Sequence, residues 1–355
     1  MKDSIYAAID LHSNSSTIGY MSPDGTYHGS RTFATTEKNL ISHVKEMDAS
    51  NRYLVIEQCN QAHWAACLLQ NYVDELIICD PSVNTRVHSG VIKNDSSDAR
   101  DLCELYRLNG LKPIYYARDL GNRKLLLHQV KEYERLTKMI TRNKNQLQAS
   151  LRNWGYPIKM NKTLYAHPDR VLSQIDREEL REQFGRKLSL IGSLQQSKDS
   201  EREQFKQLGA SFWEIAEFKK MPGCGDISSH KISAYIQTPH RFRKRSEVVH
   251  FSKLAIRQFT SDGQPVKVET LARSGHSSLK SATHQIWMSA LRRNDDNEVK
   301  RFYRQSIERS KNETNARLNT QRKIIKSLWS LWKNNQPYRP EKFLAPTAGD
   351  GVCTS

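Results

Sequence analysis

Within the first 115 residues, short apolar runs of strand type alternate with stretches of helical period, and this alternation limits the possible folds more than any other feature. IYAAIDL (5–11) is short and apolar. STIGYMSP, the turn signal at 23–25 and TYHGSRTFA then read as two more strands of a meander. EKNLISHVKEM has helical period, YLVIEQC (53–59) is a buried strand, and QAHWAACLLQNYV is an amphipathic helix. ELIICDP (75–81) is a further strand. NDSSDARDLCELYRLNG opens on Asn, Asp and Ser, which cap helices, and closes at Gly110.

A meander of three strands followed by helix, strand, helix, strand, helix is the order of an RNase H-like (RuvC-like) α/β fold. A dinucleotide-binding domain would want G-x-G-x-x-G after its first strand, and the sequence has none there. At roughly 150 residues per domain, 355 residues predict two or three domains. The expected division is a catalytic domain over 1–118, a helical or coiled-coil arm over 119–218, and a helical C-terminal domain over 219–295. A C-terminal helix over 296–343 and a disordered tail over 344–355 complete it.

The arm is read from apolar residues at Leu125, Val130, Leu136, Ile140, Leu147 and Leu151, spaced for a helix that needs a partner. A second helical block over about 170–218 supplies that partner, as an oligomerisation arm or as a bundle within one subunit. Around 221–227, MPGCGDI resembles the turn of a helix-hairpin-helix element, where glycine lets backbone N–H groups approach a phosphate. An ordinary helix–turn–helix connection uses the same residues.

Charge is unevenly divided. Residues 1–115 carry 10 basic and 14 acidic side chains, whereas 116–355 carry 45 basic and 24 acidic. An acidic first part joined to a strongly basic remainder predicts chemistry in the one and polyanion binding in the other. The competing reading is a solubilising surface on long helices, which fits a chain 37% hydrophobic and 26% charged. No apolar run approaches the roughly 18 residues of a membrane span, and MKDSIYAAID enters a strand with no secretory h-region. A soluble, cytoplasmic protein is expected, with no membrane partner. Six cysteines show no C-x-x-C pair. Cys59, His63 and Cys67 would share one helix face, which reads as packing rather than as half a zinc site.

Four carboxylates stand out. Asp10 closes the first strand, Glu57 closes a central strand, and Asp95 and Asp98 lie three apart at a helix start, about 5–6 Å between Cβ atoms. Carboxylates at the ends of adjacent strands and on one helix face can converge. Four together repel unless divalent cations lie between them, and two Mg²⁺ about 3.5–4 Å apart is the arrangement phosphodiester chemistry uses. Asp95 or Asp98 could instead simply cap the helix. Glu57 and Asp10, in apolar strands, are harder to explain as surface.

AAIDLHSNS (7–15), LVIEQCNQAHW (54–64) and KNDSSDARDLCEL (93–105) resemble the insertion-sequence-110 transposases and the related Piv DNA invertases. The family pattern K-x-D-x-x-D-A is present as Lys93, Asp95, Asp98 and Ala99. MPGCGDI and RQFTSDGQ (257–264) match, more loosely, its proline–glycine turn and downstream serine region. The resemblance implies a D-E-D-D metal quartet at Asp10, Glu57, Asp95 and Asp98 and a serine nucleophile at Ser261. It further implies a guide RNA pairing with donor and target DNA, and sites completed between subunits of a dimer or tetramer. The family serine usually precedes glycine directly; here the run is Thr260, Ser261, Asp262, Gly263, so a shift of one residue would select Thr260. The later family segment is recast as LARSGHSSLK, with Arg273, Ser274 and Gly275. A Piv-type invertase, a RuvC-like nuclease and a non-catalytic nucleic-acid-binding protein are the alternatives.

Overall fold

The computed structural model describes residues 4–80, 95–118, 121–261, 264–272 and 274–344, with the side chains of 95, 96, 257–261 and 264–269 excluded. The chain divides into two units, residues 1–121 and 122–355.

In the first unit, β1 (Ser4–Leu11), β2 (Ser15–Met21) and β3 (Tyr27–Ala34) form the antiparallel meander. Helix α1 (Glu37–Lys45), capped by the Thr36 hydroxyl, leads to β4 (Asn51–Glu57), which pairs parallel with β1. Helix α2 (Ala62–Leu69) leads to β5 (Glu75–Cys79), parallel with β4. Helix α3 (Asp95–Arg107) and a two-residue antiparallel edge, β6 (Pro113–Ile114), finish the unit. The sheet is mixed and six-stranded, in the order β3-β2-β1-β4-β5-β6.

Side chains alternate across a strand, so β1 and β4 serve two cores. Ile5, Ala7, Ile9 and Leu11 join Leu54 and Ile56 under α1 and α2. Ala8 and Val55 join Met21 and Cys79 on the other face, under Leu102, Cys103 and Tyr106 of α3.

The second unit begins with a helical arm. Helix α4 (Asn122–Asn153) is followed by short helices α5 (Lys162–Ala166) and α6 (Asp169–Leu172), then by α7 (Glu178–Gly209). The long helices run antiparallel. Leu147 and Leu151 of α4 share a core with Leu180, Phe184, Leu188 and Ile191, whereas Leu126, Val130 and Tyr133 share one with Phe205. Between Ile191 and Phe205, α7 buries no side chain.

Helices α8 (Trp213–Lys219), α9 (Asp226–Ile236), α10 (Arg245–Phe251) and α11 (Ser277–Arg292) follow, with the hairpin of β7 (Ile256–Ser261) and β8 (Gln264–Leu271) between the last two. The expected single helix over 296–343 is broken: α12 (Glu298–Ser310) and α13 (Glu313–Lys333) take its place up to residue 333. The break falls at Lys311, which takes the left-handed conformation (φ 47°), and Asn312 then caps α13 through Asn315 N–H. A short α14 (Pro340–Leu344) packs Phe343 into the main core. The tail expected to be disordered lies outside the described residues from 345 onward. No helix among the described residues is long and apolar enough to cross a membrane.

Candidate active site

The parallel pairing of β1 and β4 sets the site. Ile9 lies opposite Ile56, so Asp10 and Glu57, the next residues, leave neighbouring strands at the same level. By alternation both belong to the face of Ala8 and Val55, and Glu57 lies opposite Cys79, which is buried in that same core. This is the face that α3 covers.

The direction of α3 follows from three contacts. Ala99 sits over Gly19, where an added Cβ would come 3.1 Å from the Ala99 Cβ. Cys103, one turn on, donates to the carbonyl of Gly19 (3.4 Å) and lies 3.7 Å from that of Tyr6. Tyr106 packs edge-on against Tyr6 (5.6 Å) and Tyr53 (6.3 Å). Gly19 pairs with Ala8, so the helix runs from the carboxyl end of β1 back toward its start. Its first turn, with Asp98 directly before Ala99, therefore stands at the end of the sheet where Asp10 and Glu57 emerge. Asp95 is the first residue of α3, and its side chain lies outside the described residues, as does Lys93.

His12 is a member of this neighbourhood that sequence reasoning missed. Its Nε2 lies 3.2 Å from Asp10 Oδ2, with the Asp10 side chain 15% exposed and the imidazole 58%. Its only sequence signal is the two-residue spacing that puts Asp10 and His12 on one side of an extended chain. The Thr35 hydroxyl donates to the His12 carbonyl (2.8 Å) and fixes the backbone behind the pair.

Asp10, Glu57 and Asp98 bring carboxylate oxygens to this sheet end, the donor type that suits a hard cation such as Mg²⁺, beside the single imidazole of His12. Among the described residues, no three His, Cys, Asp or Glu side chains lie close enough together to hold an ion. Cys103, behind Ala99, is a packing residue: burial pushes its thiol up to about 12, so it stays protonated. Cys67 and His63 are likewise structural. His63 Nε2 lies 2.7 Å and Cys67 Sγ 3.6 Å from the carbonyl oxygen of Ala117. Cys59 precedes α2 and is exposed, so the three do not share a helix face.

In the second unit the two glycines of the turn at 221–225 sit differently: Gly225, the N-cap of α9, has open space where its Cβ would be. Gly223 (φ 82°) lies against α11, and an added Cβ would come 2.2 Å from the Ile286 carbonyl oxygen and 2.5 Å from Ala290 N. The close approach is of helix to helix. Asp226, the first residue of α9, pairs with Lys219 (2.5 Å), whose ammonium holds the carboxyl below its usual range. Helix α9 is buried on all sides from Ser228 to Ile236.

Ser261 ends β7 opposite Gln264, and Thr260 lies opposite Pro265. The serine region is thus a β-hairpin end; the side chains of both residues, and residues 262–263 whole, lie outside the described residues. Arg273 does as well. Ser274, by contrast, is described: its Oγ lies 3.2 Å from His250 Nε2 at an exposed position. No sequence pattern indicated that pair, because its members come from α10 and from the link between β8 and α11.

Residues 216–304 match the family model described as Transposase IS116/IS110/IS902 family. They make up about a quarter of the chain and span the segment from α8 into α12. No curated protein matches the chain.

Proposed function

We propose that this protein is the transposase of an insertion sequence, cutting and rejoining DNA strands. The observation that carries the reading is the match over residues 216–304, whose family is one of transposases. The first unit supports it. A sheet ordered β3-β2-β1-β4-β5, antiparallel through β1 and parallel beyond it, with α3 on one face, suits an RNase H-like catalytic domain.

In this reading Asp10, Glu57, Asp95 and Asp98 would hold Mg²⁺. When bound, such cations stabilise charge on the attacking and leaving oxygens of a phosphodiester. His12 orients the Asp10 carboxylate through its Nε2 contact. The Ser261 hydroxyl attacks phosphorus; its O–P bond forms as the bond to the 3′ oxygen breaks. The departing strand takes up a proton as a 3′ hydroxyl, and the 5′ phosphate stays on serine. Attack by another 3′ hydroxyl reverses these steps and joins the strands without loss of bond energy. Ser274 is a second choice of nucleophile on one observation, its contact with His250, which could accept the proton. An element-encoded guide RNA and a dimer or tetramer belong to the same proposal, supported by the basic excess after residue 115.

The test is strand transfer by the purified protein with donor DNA, target DNA and whatever RNA copurifies with it. Asp10→Asn and Asp98→Asn should each abolish cleavage while leaving melting temperature and RNA binding nearly unchanged. Wild-type recombination in either variant would remove the carboxylate mechanism. Copurified RNA without complementarity to target DNA would remove the guide.

A further inference from the structure

Phe242, Glu247, His250, Phe251, Gly275 and His276 line a cavity of about 460 Å³ at the end of α10, within the roughly 300–1,000 Å³ typical of small-molecule sites. Its rings form a chain: Phe242 and Phe251 have centroids 5.1 Å apart, Phe251 and His276 4.5 Å, and His276 and Tyr235 5.3 Å. The Arg241 guanidinium lies over Phe251 at 4.5 Å and over Phe242 at 5.2 Å.

The cavity is preformed. Gly275 (φ 107°) passes so close to the end of α10 that a Cβ would lie 2.6 Å from the His250 carbonyl oxygen. His276 N–H donates to the Phe251 carbonyl (2.7 Å), pinning the start of α11 to that helix. From the other side, Trp329 Nε1 donates to the Pro239 carbonyl (2.9 Å) and Lys333 Nζ to that of Phe242 (2.6 Å).

A cationic cluster adjoins it. Lys280 lies one turn beyond His276 on α11, and burial together with Lys253, Arg317 and Arg322 pulls its ammonium below the usual range. Arg322 donates to the Leu254 carbonyl (2.8 Å), which places its guanidinium at the turn carrying Lys253. Thr283 Oγ1 lies 3.4 Å from Gln321 Oε1, which sets α11 against the helix that bears Arg317 and Arg322. Gathering like charges on packed helices is unfavourable unless an anion offsets them.

We propose that the cavity takes one unpaired nucleobase of a nucleic-acid strand, stacked on Phe251 and His276, while the adjoining phosphates lie on Lys253, Lys280, Arg317 and Arg322. Aromatic faces accept any base, but only one drawn out of a duplex can present its face to them. The cations fix the strand without reading its sequence. The proposal rests on the reading of the second unit as nucleic-acid-binding and adds that it selects unpaired strand.

The test is titration of the full-length protein with a short oligonucleotide bearing one 2-aminopurine, as single-stranded DNA, single-stranded RNA and duplex DNA. Single strands should bind with quenching of the 2-aminopurine, and the tighter of the two identifies the strand type. Phe251→Leu keeps apolar bulk but removes the ring; it should weaken single-strand binding about five- to tenfold and relieve the quench. His276→Ala, which removes the neighbouring ring, should do the same. The double variant Lys253→Gln/Lys280→Gln should lower the log–log salt slope by about 1.4, or about 0.7 per phosphate contact. A quench that persists in both ring variants, or a slope unmoved by the double variant, overturns the proposal. Tight duplex binding with no quench of single strands rejects the cavity while leaving the transposase reading intact.

Discussion

Arg123, in the first turn of α4, places its Nη1 2.5 Å from Oε1 of Glu214, a residue of α8 with no exposed side-chain surface. The guanidinium lies between the rings of Phe212 (4.1 Å) and Trp332 (4.9 Å) and also donates to the Ser233 hydroxyl (2.9 Å). Four helices therefore meet on one cation. Removing the carboxylate leaves a largely buried guanidinium without its counter-charge. Glu214→Ala should lower unfolding free energy by about 3–5 kcal/mol, read from the denaturant midpoint. A loss under about 1 kcal/mol would show the pair to be incidental.

Gly223 supports a second stability prediction. Its positive φ and the Ile286 carbonyl beneath it leave no room for a methyl group. Gly223→Ala should cost roughly 3 kcal/mol or more, combining backbone strain with overpacking. Gly225, the N-cap of α9, has open space where its Cβ would be. Gly225→Ala should therefore be far milder, and equal melting temperatures for the two variants would contradict the close-approach argument.

His230 supports a pH prediction. Burial holds this imidazole below its ordinary value; the Asp226 carbonyl opposes the shift, while the nearby ammonium groups of Lys219 and Lys206 reinforce it. Its Nδ1 lies 2.6 Å from the Asp226 carbonyl oxygen, and its Nε2 is buried without a partner. The unfolded chain binds the proton first as pH falls, so stability should drop as pH falls below about 6.5. It should be flat above that value as far as this group is concerned. Stability curves for wild type and His230→Gln should converge toward acid pH, and parallel curves would exclude His230 as the source.

The covalent step gives the fourth prediction. A trapped protein–DNA adduct, digested and analysed by mass spectrometry, should map to the peptide around 258–264. Ser261→Ala should eliminate it and Thr260→Ala only slow it. An adduct that survives Ser261→Ala but vanishes in Ser274→Ala or His250→Ala would move the chemistry to the pair 3.2 Å apart at the end of α10.

Most of the first unit could be read from sequence because its strands are apolar and its helices amphipathic, so period alone distinguishes them. The same period placed Asp10 and Glu57 at strand ends. What period could not supply was the register that puts Ile9 beside Ile56, or the direction of α3, both set by tertiary packing. His12 escaped notice because its bond to Asp10 depends on a rotamer. The second unit was less legible. Lys311 breaks a helix with a left-handed conformation that residues other than glycine seldom take, so nothing in its side chain announced the break. In the β7–β8 hairpin the alternation is short, with Val266 and Val268 set between Lys267 and Glu269, so the strand pairing was not legible, nor was the approach of Gly223 to α11.

The spacing of apolar residues along α7 has a dynamic consequence. Each long helix has 32 residues and so extends about 48 Å, and along α7 the buried side chains run from Leu180 to Ile191 and resume only at Phe205. The apolar burial that α7 itself contributes is therefore held in two separate blocks, while between them the buried side chains are those of α4, Leu136 and Ile140. The stretch of α7 between the two blocks is where local opening costs least, so its amides should exchange fastest while both blocks stay protected.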